Sequence, residues 1–224
     1  MSEQTFLINF GFNDIPAPEL IYHVFRNDLE KTEQLLEAGS DLSQVDGVGH
    51  SAVWWASNNQ SIEMLKLLAN YKSLEALTQE EYNSFLGQAA NRDNMAVYNF
   101  WRAVGPELYQ ASKNPALRSA VSGASIGILK DLLKNGADPN YQDKSDGTTA
   151  LHLACEQLRV EMAQVLLHAS ANPTLLSKYG HSAADYAAKK HLLSPFKWHK
   201  SEKTGRDQIL KILEVATSSI VNAT

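Results

Sequence analysis

The chain has 224 residues, an apolar share of 44%, 25 acidic against 20 basic side chains, a formal charge of -5 and one cysteine. That length can bury a substantial core, the charge speaks against a whole-molecule nucleic-acid footprint, and a lone cysteine excludes an intrachain disulfide framework. No apolar run approaches the ~18 residues of a membrane span, and no Lys or Arg precedes Arg26, so the Phe6, Leu7, Ile8 run lacks the charged start of a signal peptide.

Residues 1–15 carry Phe6, Leu7, Ile8, Phe10 and Phe12, too apolar for a free tail and too short for a domain. They read as a lid on the segment that follows, with a docking peptide as the alternative. Leu20 and Ile21 mark a first helix after Pro16, and Leu29 to Leu36 a second, closed at Gly39, where glycine tolerates a left-handed stop. Gly49, His50, Ser51 and Ala52 open the next helix and recur as Gly180, His181, Ser182 and Ala183, which makes Ser51 and Ser182 helix caps. The same tetrapeptide invites a hydrolase reading. A nucleophile elbow, however, needs a glycine two residues after the serine, and Val53 and Ala184 stand there.

Trp55 reads as core and Trp54 as partly exposed. Thr78 with Glu81 forms a capping-box signature that starts the following helix early. Met95 to Arg102 is an aromatic second helix, stopped by Gly105 and Pro106, and Asn114 with Pro115 reads as the cap and first turn of another. Thr149 caps a helix running through Ala150, Leu151, His152, Leu153 and Ala154, and Val160 to Leu167 supplies the apolar face of its successor. Lys189 to Arg206 is the sharpest compositional change, with six Lys or Arg against one acidic residue; this local +5 leaves -10 on the rest. Asp207 to Ala216 resumes a helical apolar pattern.

One helix anchor slides along the whole chain. Leu20, Val53, Leu86, Leu117, Leu151 and Ala184 are separated by 33, 33, 31, 34 and 33 residues. Three residues after each anchor stands His23, Ala56, Ala89, Ala120, Ala154 or Ala187, a position kept small where two helices and the next unit converge. Twelve residues further on come Leu35, Leu68, Trp101, Leu132 and Leu166; only the last unit departs, reaching Leu213 after about 14 extra residues. This pattern, with Thr149 to Cys155 spelling TALHLAC, a Leu pair and a Gly-Ala-Asp turn at Gly136 to Asp138, closely resembles the ankyrin repeat.

The resemblance implies an all-α ankyrin-repeat solenoid of about six helix-turn-helix units over residues 16–220. The repeats fall at about 16–46, 47–79, 80–110, 111–144, 145–177 and 178–216, with a basic insertion at 189–206. It implies a non-enzymatic protein-binding module, an adaptor, inhibitor or stabilising partner of another polypeptide. A bacterial ankyrin protein acting on a host target or neutralising a toxin is the alternative, and an enzyme with an unrecognised site a remote one. His152 lies one turn from Cys155, but the resemblance makes that histidine a structural hydrogen-bonder and the thiol a small buried group. No cofactor, no metal and no nucleic acid are expected, the cytoplasm or delivery into a host cell is the expected location, and the free chain is expected to be a monomer.

Aligning the units places His50, Asn83, Asn114, Thr148 and His181 on the finger side of the array. The first-helix ends carry Asn58, Asn59, Asn91, Arg92, Ser122, Glu156 and Gln157. These are expected to line one concave partner-binding face. Lys197, Trp198 and Lys200 in the basic insertion are candidates for docking an acidic partner, against the plainer reading of a solvated loop.

Overall fold

The computed structural model describes residues 6–10, 13–71, 77–189 and 200–221. They form two compact units, the first drawn from the described residues within 1–89 and 96–109 and the second from those within 90–95 and 110–224.

The first unit opens with an antiparallel ribbon of β1 (Phe6–Phe10) and β2 (Asn13–Ala17), in the register Leu7 opposite Pro16 and Ile8 opposite Ile15. The segment read as a lid is thus a hairpin that extends two residues past it. Ile8 is fully buried and the Phe6 ring lies 5.0 Å from Tyr22, so one face of the ribbon rests on the first helix. The helices follow in pairs: α1 (Glu19–Phe25) with α2 (Leu29–Glu37), then α3 (Ala52–Asn58) with α4 (Ile62–Tyr71). After them come α5 (Gln79–Asn91) and α6 (Met95–Val104).

Their starts are chemically specified. Asp28 accepts a bond from the Lys31 amide, and Ser51 from that of Trp54. Thr78 and Glu81 bond reciprocally, so α5 begins where the capping box places it. Trp55 and Trp101 are fully buried. Trp55 donates its indole N–H to Asp46 at 2.9 Å, while the Tyr82 hydroxyl donates to the Trp101 carbonyl.

The second unit contains most of α7 (Pro106–Ser122), then α8 (Ile126–Lys134), α9 (Ala150–Glu156), α10 (Val160–His168), α11 (Ala183–Lys189) and α12 (Lys200–Val221). Two sequence expectations are corrected here. Asn114 does not cap a new helix: α7 starts at Pro106 and runs through Pro115. The Asn114 side chain instead accepts the Asp138 amide at 2.8 Å, serving a neighbouring turn. Nor is the basic stretch a loop throughout, since residues 200–206 are already α12; Lys and Glu are good helix formers and extend the helix backwards from its buried Ile209 and Leu213. Residues 190–199, including Lys197 and Trp198, lie outside the described residues.

The small positions Ala56, Ala89, Ala120, Ala154 and Ala187 are all fully buried, as are Leu68, Trp101, Leu132 and Leu166 of the second helices. In the first pair Leu36 is buried and Leu35 only half so. The turn within each of the first five helix pairs holds one non-glycine residue in the left-handed region, Asn27, Gln60, Asp93, Ala124 and Leu158, with φ between 54° and 61°. These repeat with the anchor spacing. Beside one of them, a Cβ on Gly123 would meet the Asn91 carbonyl oxygen at 1.8 Å, so only glycine fits.

The hairpin of residues 138–148 is held by charge. Arg118 reaches Asp143 at 2.6 Å and Asp146 at 3.2 Å, and Ser145 bonds Asp143 through both hydroxyl and amide. Burial would raise the Asp143 pKa; the Ser145 bonds and the Arg118 charge outweigh it and bring it down to about 2.

Three outcomes follow from this packing. Leu166→Ala should lower stability by about 2–5 kcal/mol through lost burial and a cavity, read as a reduced denaturant midpoint; an unchanged midpoint would contradict the register. Ala124→Gly should raise stability by about 0.5–1 kcal/mol, because the exposed methyl is lost cheaply while left-handed strain is relieved. The depressed Asp143 pKa contributes stability of about 1 kcal/mol after solvent screening, fully present above the unfolded value near 3.8 and lost as pH falls towards about 2. Urea titrations between pH 6 and pH 3 should therefore show a shallower loss of stability for Asp143→Asn than for the native chain.

Candidate functional site

In the first unit, residues 41–50 form a finger between α2 and α3, closed by the Asp46 amide on the His50 carbonyl at 3.0 Å and by Gly49 at φ +90°. The Asp46 carboxylate is the finger's internal anchor. It accepts from the amides of Val48 and His50 and from the Trp55 indole, and these donors overcome the upward pull of burial to hold its pKa below the usual carboxylate range. His50 stacks on Trp54 with centroids 3.7 Å apart, its Nδ1 3.3 Å from Asp46. Trp54 is accordingly half-exposed and Trp55 is core, as their places in the helix require.

Asn58 ends α3, and Asn59 caps it and donates to the Phe25 carbonyl at 2.8 Å, tying two successive first helices together. Asn83 is half-buried on α5 and accepts from Gln79. The first-unit candidates thus spend part of their polar capacity inside the repeat array.

In the second unit the same holds more strongly. Thr148 is only 3% exposed and its hydroxyl donates to Asp146 at 2.7 Å, so this candidate is withdrawn from the surface. Asn114 is committed to Asp138. The finger of residues 171–182 leans on its predecessor through the Lys178 amide to the Asp146 carbonyl and Gln142 to the Leu176 carbonyl, at 2.9 and 2.8 Å. Asn140 adds a bracket, accepting from the Asn172 amide at 2.6 Å and donating to the Ser170 carbonyl at 3.2 Å. His181 is half-buried, its ring edge-on to Tyr186 and its carbonyl 3.2 Å from His152.

At the first-helix ends, Asn91, Arg92, Ser122 and Glu156 are exposed and Gln157 is half-buried. Arg159 joins two of them, donating to Gln157 at 2.7 Å and to the Ser122 carbonyl at 3.3 Å. Sequence reading passes over Arg159 because it falls between two helices. Lys200 is the first residue of α12.

The His152 and Cys155 pair is structural. The His152 ring completes a capping box with Thr149 and reaches the His181 carbonyl, and burial lowers its pKa despite these bonds. Burial pushes the Cys155 thiol up to about 12, which leaves no thiolate near neutral pH.

Four apolar side chains that sequence reading also passes over stand out on the fingers. Val45 and Val48 are 49% and 59% exposed on the first-unit finger, and Leu176 and Tyr179 are 54% and 68% exposed on the last. The two pairs occupy equivalent positions, four residues and one residue before Gly49 and Gly180. Their signal was present as apolar residues flanking a turn glycine, where solvent-facing hairpins carry polar ones.

Residues 117–197 match the family model for ankyrin repeats, in three copies. The chain is 27% identical over 145 residues to the ankyrin repeat and KH domain-containing protein mask-1 of Caenorhabditis elegans, covering 64% of this chain and 5% of that protein. It is 29% identical over 180 residues to a protein named L-asparaginase from Dirofilaria immitis, covering 78% of this chain and 30% of the other. The chain therefore spans well under half the length of these relatives. Among solved structures, the ankyrin repeat protein EF0377 superposes with a TM-score of 0.65 at 22% identity, covering 87% of this chain and 96% of that one. Residues 117–197 thus carry three ankyrin repeats, and the fold of the chain is that of solved ankyrin repeat structures.

Proposed function

We propose that the chain acts as a non-enzymatic binding module for another polypeptide, in the role of an adaptor, inhibitor or stabilising partner. The observation that carries this reading is the pair of exposed apolar side chains repeated at one register on two fingers, Val45 with Val48 and Leu176 with Tyr179. Apolar groups held on hairpins that backbone hydrogen bonds already fix lose little entropy on contact, so their burial converts efficiently into affinity. Asn58, Asn91, Arg92 and Glu156 at the first-helix ends supply polar recognition around such anchors.

Enzymatic activity has little support in the residues described. The L-asparaginase match spans under a third of that protein, and the nucleophile and base candidates are both absorbed into repeat packing.

The test is affinity capture with purified chain, followed by mass spectrometry and titration of the partner obtained. The paired variants Val45→Asp with Val48→Asp, and Leu176→Asp with Tyr179→Asp, remove exposed groups and should leave thermal stability within about 1 kcal/mol. At least one pair should weaken partner binding about tenfold or more. Unchanged affinity in both folded variants would place recognition elsewhere.

A further inference from the structure

We infer that the outer edge of β1 pairs with the same strand of a second copy of this chain, antiparallel about a two-fold axis at Ile8. The register of the ribbon fixes which groups face outwards. Leu7 lies opposite Pro16, which has no N–H, so Leu7 and Pro16 form a pair that exchanges no ladder bonds; in the alternation of an antiparallel sheet the same is true of Asn9 and Asp14. The backbone N–H and C=O of Leu7 and Asn9 therefore point away from β2. Among the described residues no hydrogen bond engages them. The opposite edge of the ribbon is partly occupied, since the Pro16 carbonyl points out of it and accepts the Gly47 amide at 2.7 Å.

The residues of β1 themselves carry no sequence protection against strand pairing. Phe6, Leu7, Ile8, Asn9 and Phe10 include no charge, no proline and no glycine. Leu7 is 56% exposed, whereas Ile8 is buried beneath the ribbon.

A second copy fits this edge by symmetry. Outward-facing groups at Leu7 and Asn9 flank Ile8, so rotation about Ile8 places each Leu7 opposite the Asn9 of the other copy, and both pairs exchange both backbone bonds. An uncharged strand meets its identical neighbour without repulsion, and Asp14, the nearest charge in the ribbon, sits one strand further away on β2. Five-residue strands bury less than a standard interface, which makes the dimer weak and concentration-dependent. The monomer expected from sequence is thus the dilute state.

Sedimentation velocity on the full chain from about 10 µM to about 1 mM tests this. The native chain should move from monomer towards dimer across the range. Leu7→Pro removes one outward donor from each copy and no β1–β2 bond, and should weaken association about tenfold or more with an unchanged melting temperature. Leu7→Lys should weaken it comparably through an edge charge, which keeps the question open to refutation if the proline variant fails to fold. Leu7→Thr, which retains the backbone donor and suits a strand, should still associate. A native chain that stays monomeric throughout overturns the inference, as does association that survives in a folded Leu7→Pro or Leu7→Lys variant.

Discussion

The constraint on which the structure turns is steric: one position per first helix must be small enough for neighbouring helices to meet over it. Ala56, Ala89, Ala120, Ala154 and Ala187 satisfy it with no exposed surface. Within each unit a close approach of this kind lets the larger apolar residues of the second helices pack against their neighbours, which is how a repeat array obtains a core without a centre. The exception supports the rule. His23 stands at the equivalent place in α1, and there the packing partner includes a strand, with the Phe6 ring 6.1 Å from the imidazole and the Asp28 carboxylate 3.1 Å from its Nδ1.

Rigidity in the fingers has a different origin. Each is a short hairpin with little apolar burial of its own, held by backbone ladder bonds and one charged or polar anchor: Asp46 in the first unit, Asp143 with Arg118 in the second. The acidic anchors titrate below the normal carboxylate range because several donors converge on each. The fingers therefore present their tips at neutral pH without needing those tips to contribute to folding. That freedom is what allows Val48 and Tyr179 to be apolar and exposed.

The repeat was legible because its period is written in residues that have no alternative, small alanines and buried leucines at fixed spacing. What escaped was written in residues with two readings. Asn114 and Pro115 form a helix start by local chemistry, yet the asparagine bonds Asp138 and the helix passes through the proline. The run from Phe6 to Phe10 lacks alternation, so its period cannot declare a strand; only pairing with β2 does. Thr148, aligned with surface residues, turned inward because Asp146 captured its hydroxyl. Five left-handed turn residues carry no glycine to announce them, and their regularity emerges from the backbone alone.

The aromatic residues are divided unevenly, and this has a spectroscopic consequence. Trp54, Trp55 and Trp101 all belong to the first unit, and the fourth of the chain's 4 tryptophans, Trp198, lies outside the described residues. Intrinsic indole emission is thus chiefly a reporter of the first unit, with Trp55 shielded from solvent and bonded to a carboxylate. Far-ultraviolet circular dichroism, by contrast, weighs the helices of both units alike. Non-coincident melting by the two signals would resolve repeats that open independently, as expected of an array stabilised by nearest-neighbour contacts.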